Sequence, residues 1–132
     1  MAPRAIEFGL FVNPSAASYR ETLELVRVAE QGGIDLIGIQ DHPYQHRFLD
    51  TWLLIADLQA RTERLRFFPD VANLPLRLPT LMAKQAASLD VMSGGRFELG
   101  LGAGAFWDAI DAMGGPVRSG RSRSTRSRRR SR

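Results

Sequence analysis

Short apolar runs alternate along the chain with longer segments whose apolar residues recur at helical spacing. The runs cover residues 7–12, 36–40, 65–72 and 96–102, and each is closed or followed by Asn, Asp or Gly. Runs of this length and composition are typical of buried β-strands. The intervening segments predict amphipathic helices, which cover residues 19–31, 50–62 and 80–92. The pattern therefore predicts a repeated unit of a strand followed by a helix.

The predicted helices carry end signals. Ser18, with Glu21 three residues later, has the spacing of a capping box before the first helix, and Gly32 and Gly33 follow its last turn. Asp50 has the same capping role before the second helix. A second pair of glycines closes the third helix.

A strand that is followed by a helix and another strand predicts a parallel sheet, because parallel neighbours need a crossover of about this length. Two α/β architectures have this pattern: a doubly wound open sheet and the first half of a (β/α)₈ TIM barrel. Both bind ligands at the carboxyl ends of the strands. The loops expected to carry chemistry are therefore residues 41–46, 73–79 and 102–108.

Charge divides the chain into two unlike parts. The sequence has 18 Lys and Arg and 14 Asp and Glu residues, for a net charge of +4. Eight of the basic residues are arginines within 118–132, so residues 1–117 keep 10 basic and 14 acidic groups and a net charge of −4. We therefore predict a folded domain over residues 1–117 and a disordered, low-complexity basic tail over residues 118–132.

Composition narrows the class of protein further. Apolar residues make up 44% of the chain, which is typical of a soluble globular domain. No stretch approaches the roughly 20 apolar residues that span a bilayer, and no signal peptide opens the chain. The sequence has no Cys, so disulfides and thiolate metal sites are excluded and a cytoplasmic location is expected.

The loop after the second predicted strand contains Asp41, His42 and His46. Imidazole exchanges protons near neutral pH, and a neighbouring carboxylate orients an imidazole or accepts a hydrogen bond from a ligand. The alternative is a capping Asp with surface imidazoles. His42 and His46 also have a spacing found in metal sites, but Pro43 interrupts the helix that would align them and no third ligand is evident.

Two other loops offer weaker patterns. GLGAGA, which ends at Ala105, fits a relaxed dinucleotide fingerprint. However, it follows the fourth predicted strand instead of the first, and the acidic residue expected about 20 residues later is missing. Its alternative is a tight turn that needs positive φ. Arg77 lies between two prolines, where it either binds an anion or lies on the surface. Phe106 and Trp107 either stack on a ligand or cover the rim of the sheet.

Together these residues resemble the amino-terminal half of a luciferase-like flavin-dependent oxidoreductase. The resemblance covers about residues 5–117 and rests on four features in order: FGLFV, the DH pair, NLPLRLP and ASLDVMSGGRFELGLGAG. The last is the most specific, since SGGR followed by F-x-L-G-L-G-x-G is a hallmark of that family. The run GAGAFWDAIDAMGGP is similar to actinobacterial members grouped with deazaflavin enzymes.

The resemblance implies a TIM barrel that binds FMN or the deazaflavin coenzyme F420 at its carboxyl-end face. FMN members insert an oxygen atom from O₂ into a substrate, and deazaflavin members transfer a hydride. By the same resemblance, His42 acts in proton transfer or holds the flavin intermediate. Asp41 lies near the ring, and the remaining cofactor residues are supplied by a bulge, often with a non-proline cis peptide, and by the glycine loop: Ala72, Asn73, Ala103 and Gly104.

The resemblance also implies partners and shows departures. It implies a small-molecule substrate, a flavin reductase as a possible source of reduced flavin, and a homodimer for the intact protein. Sugar-phosphate dehydrogenases of the deazaflavin type have Glu where this chain has Ala105, which leaves the substrate open. A whole barrel needs about 250 residues. A half-barrel leaves sheet edges and an apolar interior uncovered, so we expect aggregation, pairing with another half, or degradation.

The basic tail has two explanations. With GC-rich codons, the segment from Gly120 re-reads in another frame as PVAVDALEEAIE, an acidic amphipathic helix of the kind the family pattern requires. A frameshift is therefore one hypothesis, and the source DNA beyond the Gly114 codon tests it. The other is a genuine basic arm that binds nucleic acid through phosphates, although no aromatic residue interleaves its arginines. A free-standing nicotinamide-binding domain is a third hypothesis for the chain.

Overall fold

The computed structural model describes residues 6–116, so the predicted basic tail lies outside the described residues. The strands are β1 Gly9–Val12, β2 Leu36–Ile39, β3 Arg66–Pro69, β4 Ala72–Asn73 and β5 Leu101–Gly102. The helices are α1 Tyr19–Gln31, α2 Thr51–Ala60, α3 Pro79–Ser93 and α4 Trp107–Ala112. Within 6–116 no helix is long and apolar enough to cross a bilayer.

The strands pair in parallel and in sequence order, which confirms the predicted parallel α/β architecture. β1, β2 and β3 form one sheet, in which Leu10 pairs with Ile37 and Ile37 pairs with Phe67. Phe67 also bridges to Phe97 in parallel, and β4 pairs with β5. β1, β2 and β3 therefore lie side by side in chain order, and the parallel bridge at Phe97 places the chain before β5 next to β3, as in a barrel.

The three long helices cover one face of this sheet. Val12, Ile37, Ile39 and Phe67 alternate along the strands toward that face and pack in a single apolar core with residues of α1, α2 and α3. The opposite face carries Phe11, whose exposed fraction is 58%. A doubly wound sheet has helices on both faces, so the one-sided packing identifies the barrel architecture.

The uncovered face also carries an ion-pair cluster. Arg66 lies between two carboxylates, with Nη2 at 2.7 Å from Glu7 Oε1 and Nη1 at 2.6 Å from Glu98 Oε1. Farther along the sheet, Gly38 leaves room for the Phe68 ring, since a Cβ atom at Gly38 would lie 2.8 Å from Phe68 Cζ. This face thus has the mixed polar and aromatic side chains of a barrel interior.

The third predicted strand, residues 65–72, is wrong as a single strand. A cis peptide bond joins Asp70 and Val71, and the chain forms β3 before it and β4 after it. The bond lies slightly before Ala72 and Asn73, where the resemblance places it. Beyond the cis bond, β4 pairs with β5 and not with β3. The Ala72 N–H donates to Gly100 O, directly before β5.

Of the two helix caps predicted from the sequence, the structure contains one. The Asp50 cap is confirmed, since its side chain accepts from the backbone N–H groups of Trp52 and Leu53. The Ser18 capping box is wrong, because Ser18 makes no side-chain cap bond. A short 3-10 turn runs directly into α1 and gives Ser18 a ψ of 22°, whereas Asp50 has the extended ψ of 127° that aims a side chain at the N–H groups.

Arg96, the arginine of SGGR, connects the sheet to the helix layer through hydrogen bonds near the amino ends of the strands. Its guanidinium and Nε donate to the backbone oxygens of Gln59, Leu65 and Ser93 and to the hydroxyl of Thr62. These groups belong to the end of α2, the start of β3 and the end of α3. The most specific motif of the sequence therefore contributes an architectural residue as well as the glycine loop at the opposite end.

Candidate functional site

The three loops chosen from the sequence meet at the carboxyl ends of the strands. His42 follows β2, Asn73 ends β4, and the loop after β5 begins at Ala103. Phe106 from that last loop lies with its ring centroid 5.3 Å from the His42 ring. The structure thus brings together the catalytic and cofactor residues that the resemblance indicates, on one edge of the sheet.

Asp41 is buried and connects the loop after β2 to the loop after β4 through hydrogen bonds. Its side chain is 1% exposed. Oδ2 accepts from the Asn73 backbone N–H at 2.9 Å and from Arg77 Nε at 2.9 Å, and Oδ1 accepts from Arg77 Nη2 at 2.7 Å. Both oxygens are occupied by protein donors. Asp41 therefore fixes the end of β4 at Asn73, and direct contact between Asp41 and a cofactor stays a prediction.

Arg77 is mostly buried, so the surface interpretation is wrong, and its Nε and Nη2 donate to carboxylates of the protein itself, so the anion interpretation gains no support. Its side chain is only 13% exposed and also donates to Asp50 Oδ2 at 3.0 Å. The guanidinium carbon lies 5.3 Å from the centroid of the Trp52 ring, a cation–π distance. Burial opposes its charge, but bonds and charges from Asp41 and Asp50 outweigh burial and raise the pKa of Arg77.

His42 is held among aromatic rings and one amide. The Tyr44 ring stacks on it at a centroid distance of 5.2 Å, and Phe106 meets it edge-on. Nδ1 lies 2.8 Å from Gln40 Nε2. Burial lowers the pKa of His42 below its ordinary value, while the charge of Asp41 acts in the opposite direction. Burial thus favours the neutral form of the His42 imidazole.

Asn73 presents an unused acceptor at the same edge. The residue is 5% exposed, its backbone N–H is bonded to Asp41, and its side-chain Oδ1 has no hydrogen-bond partner among the described residues. An isolated buried carbonyl oxygen costs free energy unless a donor reaches it. An N–H donor of a bound flat ring, such as an isoalloxazine or its deazaflavin analogue, would satisfy this oxygen if the ring displaced the groups that now cover it.

The glycine loop after β5 is shaped by close packing. Gly104 has a φ of 92°, and a Cβ atom there would lie 2.7 Å from Pro75 Cγ and 3.1 Å from Ile110 Cδ1. Positive φ at Gly104 agrees with the tight turn weighed against the dinucleotide fingerprint. Ala103, directly before Gly104, is exposed.

Sequence reasoning missed Gln40 and Tyr44. Tyr44 lies in the loop already chosen, two residues after His42, and an aromatic ring so close to a candidate catalytic imidazole was a usable signal. Gln40 is the first polar residue after the apolar β2, at the end where ligands bind. Of the two rim aromatics, Phe106 packs on His42 and Tyr44, and Trp107 begins α4.

A metal site gains no support from the part of the chain that the structure describes. No three His, Asp or Glu side chains within 6–116 are grouped as metal ligands. His46 is exposed, and His42 Nδ1 already faces Gln40.

Comparison with known proteins identifies one family for this chain. The luciferase-like monooxygenase family model matches residues 6–129. 4-Hydroxyprotoasukamycin monooxygenase from Streptomyces nodosus subsp. asukaensis is 31% identical over 118 residues, which cover 83% of this chain and 32% of that protein.

Two solved structures of different chemistry are equally similar. The FMN complex of the oxygenating constituent of 3,6-diketocamphane monooxygenase from Pseudomonas putida has a TM-score of 0.73 at 30% identity, covering 83% of this chain and 33% of that one. The coenzyme F420-dependent tetrahydromethanopterin reductase from Methanopyrus kandleri also has a TM-score of 0.73, at 27% identity, covering 86% and 31%.

The chain spans between about a quarter and a third of the length of the curated relatives that it matches. Its parallel strands and one-sided helices correspond to part of the barrel in the solved structures, which confirms the predicted partial TIM barrel. Sequence family, fold and the arrangement of the strand-end loops agree, and the chain belongs to the luciferase-like monooxygenase family.

Proposed function

We propose that the carboxyl-end edge of this sheet contributes to the ring-binding site of an oxidoreductase that uses FMN or the deazaflavin coenzyme F420. The observation that carries the proposal is the convergence of His42, Asn73 and the loop from Ala103 to Gly104, with Asn73 Oδ1 buried and without a partner among the described residues. Relatives with FMN and with coenzyme F420 are equally similar in fold, so the proposal covers both ring systems.

Each residue has a defined part in this site. Asn73 Oδ1 accepts a hydrogen bond from the ring, and the buried Ala72 keeps the strand end close to it. The backbone at Ala103 and Gly104 approaches the ring across the open loop. His42 provides an imidazole N–H at the reacting side, and Asp41 orients Asn73 through its backbone N–H. When bound, the ring supplies hydride transfer, or oxygen activation in the FMN case.

The anionic part of the cofactor is bound elsewhere. Arg77, the arginine that follows β4, is occupied by Asp41 and Asp50. We therefore assign the phosphate contacts to segments outside residues 6–116. The small-molecule substrate, a flavin reductase as partner, a homodimer and a cytoplasmic location are further parts of this proposal, in keeping with the oxygenating constituent among the similar structures.

A titration tests the ring site. The protein is mixed with FMN, coenzyme F420 and NADPH in separate fluorescence titrations, together with Asn73→Ala. We expect one of the two ring cofactors to bind, and Asn73→Ala to weaken it about fivefold, since one hydrogen bond contributes about 1 kcal/mol. Binding of NADPH alone, or an unchanged affinity for the ring in Asn73→Ala, would contradict the proposal.

Turnover tests the role of His42. In a whole barrel that contains these residues, His42→Ala is expected to lower turnover about 10²–10⁴-fold, the usual contribution of a positioned proton-transfer group, with a much smaller change in cofactor affinity. His46→Ala is the matched control, because His46 is exposed in the same loop. Equal turnover in the two variants would remove His42 from the mechanism.

A further inference from the structure

Gln40 and His42 form a pair at the end of β2. Gln40 Nε2 lies 2.8 Å from His42 Nδ1, which is hydrogen-bond distance. The backbone of Gln40 is held on both sides, since its N–H donates to Val12 O at 3.1 Å and its carbonyl accepts from Thr51 Oγ1 at 2.6 Å. The amide therefore reaches the imidazole from a fixed position.

The orientation of the Gln40 amide decides which nitrogen of His42 carries the proton. With Nε2 of Gln40 facing the ring, the amide is a donor there, so the imidazole nitrogen opposite it must accept. Nδ1 is then without a proton, and the neutral ring carries its proton on Nε2. A proton on Nδ1 would require the Gln40 amide to turn its oxygen toward the ring.

The aromatic neighbours keep His42 in this orientation. Tyr44 stacks on one face with an interplanar angle of 24°, and Phe106 meets the ring at 71°. The charged group near the ring is Asp41, whose carboxylate favours a protonated imidazole, but Asp41 is itself paired with Arg77. Tyr44, the other titratable neighbour, is neutral near pH 7, and burial raises its pKa further.

We propose that Gln40 is a positioning residue that holds His42 in the neutral tautomer protonated at Nε2. His42 then offers an N–H donor, and no acceptor, to whatever binds beyond Nε2. The identity of that acceptor, an atom of a flavin-type ring or its substrate, rests on the proposed function. The assignment of the tautomer does not.

Nitrogen NMR tests the tautomer directly. In the full chain labelled with ¹⁵N, long-range proton–nitrogen spectra distinguish a protonated from an unprotonated imidazole nitrogen. The chain has two histidines, so His46→Ala assigns the signals, and the exposed His46 serves as an internal reference. We expect His42 to show protonated Nε2 and unprotonated Nδ1 at pH 7. Protonation at Nδ1, or an averaged pattern like that of His46, would overturn the proposal.

Two substitutions test the role of Gln40. In Gln40→Glu the carboxylate can only accept, so the proton should move to Nδ1 and the pKa of His42 should rise. Gln45→Glu adds the same charge at an exposed position of the same loop and should leave the tautomer unchanged. Gln40→Met removes donor and acceptor alike and should give a mixture of tautomers. An unchanged His42 in both Gln40 variants would reject Gln40 as the positioning residue.

The outcome is separable from that of the cofactor titrations. A fixed Nε2–H tautomer with no affinity for FMN or coenzyme F420 would leave the Gln40 assignment standing and reject the ring site. Cofactor binding with His42 protonated at Nδ1 would support the ring site and reject the Gln40 assignment. Backbone amide spectra of each variant would show whether the fold is retained.

Discussion

Gly104 lies where the loop after β5 turns over Pro75 at the candidate site. Two constraints act there at once: a φ of 92°, and less than van der Waals space for a side chain. Gly33, after α1, has a similar φ of 83°, but a Cβ atom added there would have no neighbour within 4 Å. The two glycines therefore separate the cost of backbone conformation from the cost of steric overlap.

We expect Gly33→Ala to lower the free energy of unfolding by about 1–2 kcal/mol, the cost of a left-handed conformation for a residue with a Cβ atom. Gly104→Ala should cost more, because Pro75 or Ile110 must also move, and it should weaken cofactor binding. Urea denaturation and the FMN or coenzyme F420 titration measure the two effects. Equal stability losses in the two variants would show that the contact with Pro75 is unimportant.

At the scale of elements, one ion-pair cluster connects the strand-end loops to α2. Asp41 follows β2, Arg77 follows the 3-10 turn after β4, and Asp50 caps α2. Arg77 also lies over Trp52 of α2. A buried carboxylate of this kind is stable only while its partner remains, because desolvation of an unpaired charge is costly. The cluster therefore couples the geometry of Asn73 to the placement of a helix.

Arg77→Ala is expected to destabilise the fold by about 3–5 kcal/mol, the usual effect of breaking a buried pair from one side. Arg27→Ala is the control, since its pair with Glu24 is exposed to solvent and an exposed ion pair contributes little to stability. Urea denaturation followed by tryptophan fluorescence measures both. Similar losses for the two arginines would contradict the role of Arg77. Asp41→Asn combined with Arg77→Leu should recover part of the loss, because no charge is then left buried alone.

At the scale of the whole molecule, the sheet has one covered and one open face. The helix side contains the core, and the other side exposes Phe11 and the ion-pair cluster of Arg66. In the similar solved structures the matched segment is about a third of the chain. The open face thus corresponds to a barrel interior that residues 6–116 line on one side only.

The 132-residue polypeptide is expected to self-associate through this open face. Phe11→Thr should reduce the associated fraction in sedimentation velocity experiments, since it removes an exposed aromatic ring from the inner face. Leu53→Gln is the control on the helix layer, because Leu53 is 73% exposed there. If Leu53→Gln reduces association and Phe11→Thr does not, contact through the helix layer is responsible. A monomeric polypeptide with a sharp thermal unfolding transition would contradict association through either face.

The pattern of the sequence determined the local features of this protein. Apolar periodicity placed α1, α2, α3, β1 and β2, and the Asp50 cap followed from its position before an apolar helix, whereas the fourth predicted strand, residues 96–102, is a strand only at Leu101–Gly102. These features depend on neighbouring residues, so they can be read along the chain. The loops that carry His42, Asn73 and Gly104 followed from the same pattern, because the carboxyl ends of parallel strands share one edge.

Only the tertiary structure decided how those residues are used. Arg77 was expected at an anion or on the surface, but its partner Asp41 lies 36 residues away in sequence. The break between β3 and β4 depends on pairing with β5, and the donor facing His42 depends on where Gln40 is held by Thr51 of α2. Burial, ion pairing and tautomer are set by groups that are distant in sequence and adjacent in space, and local periodicity contains no information about those distances.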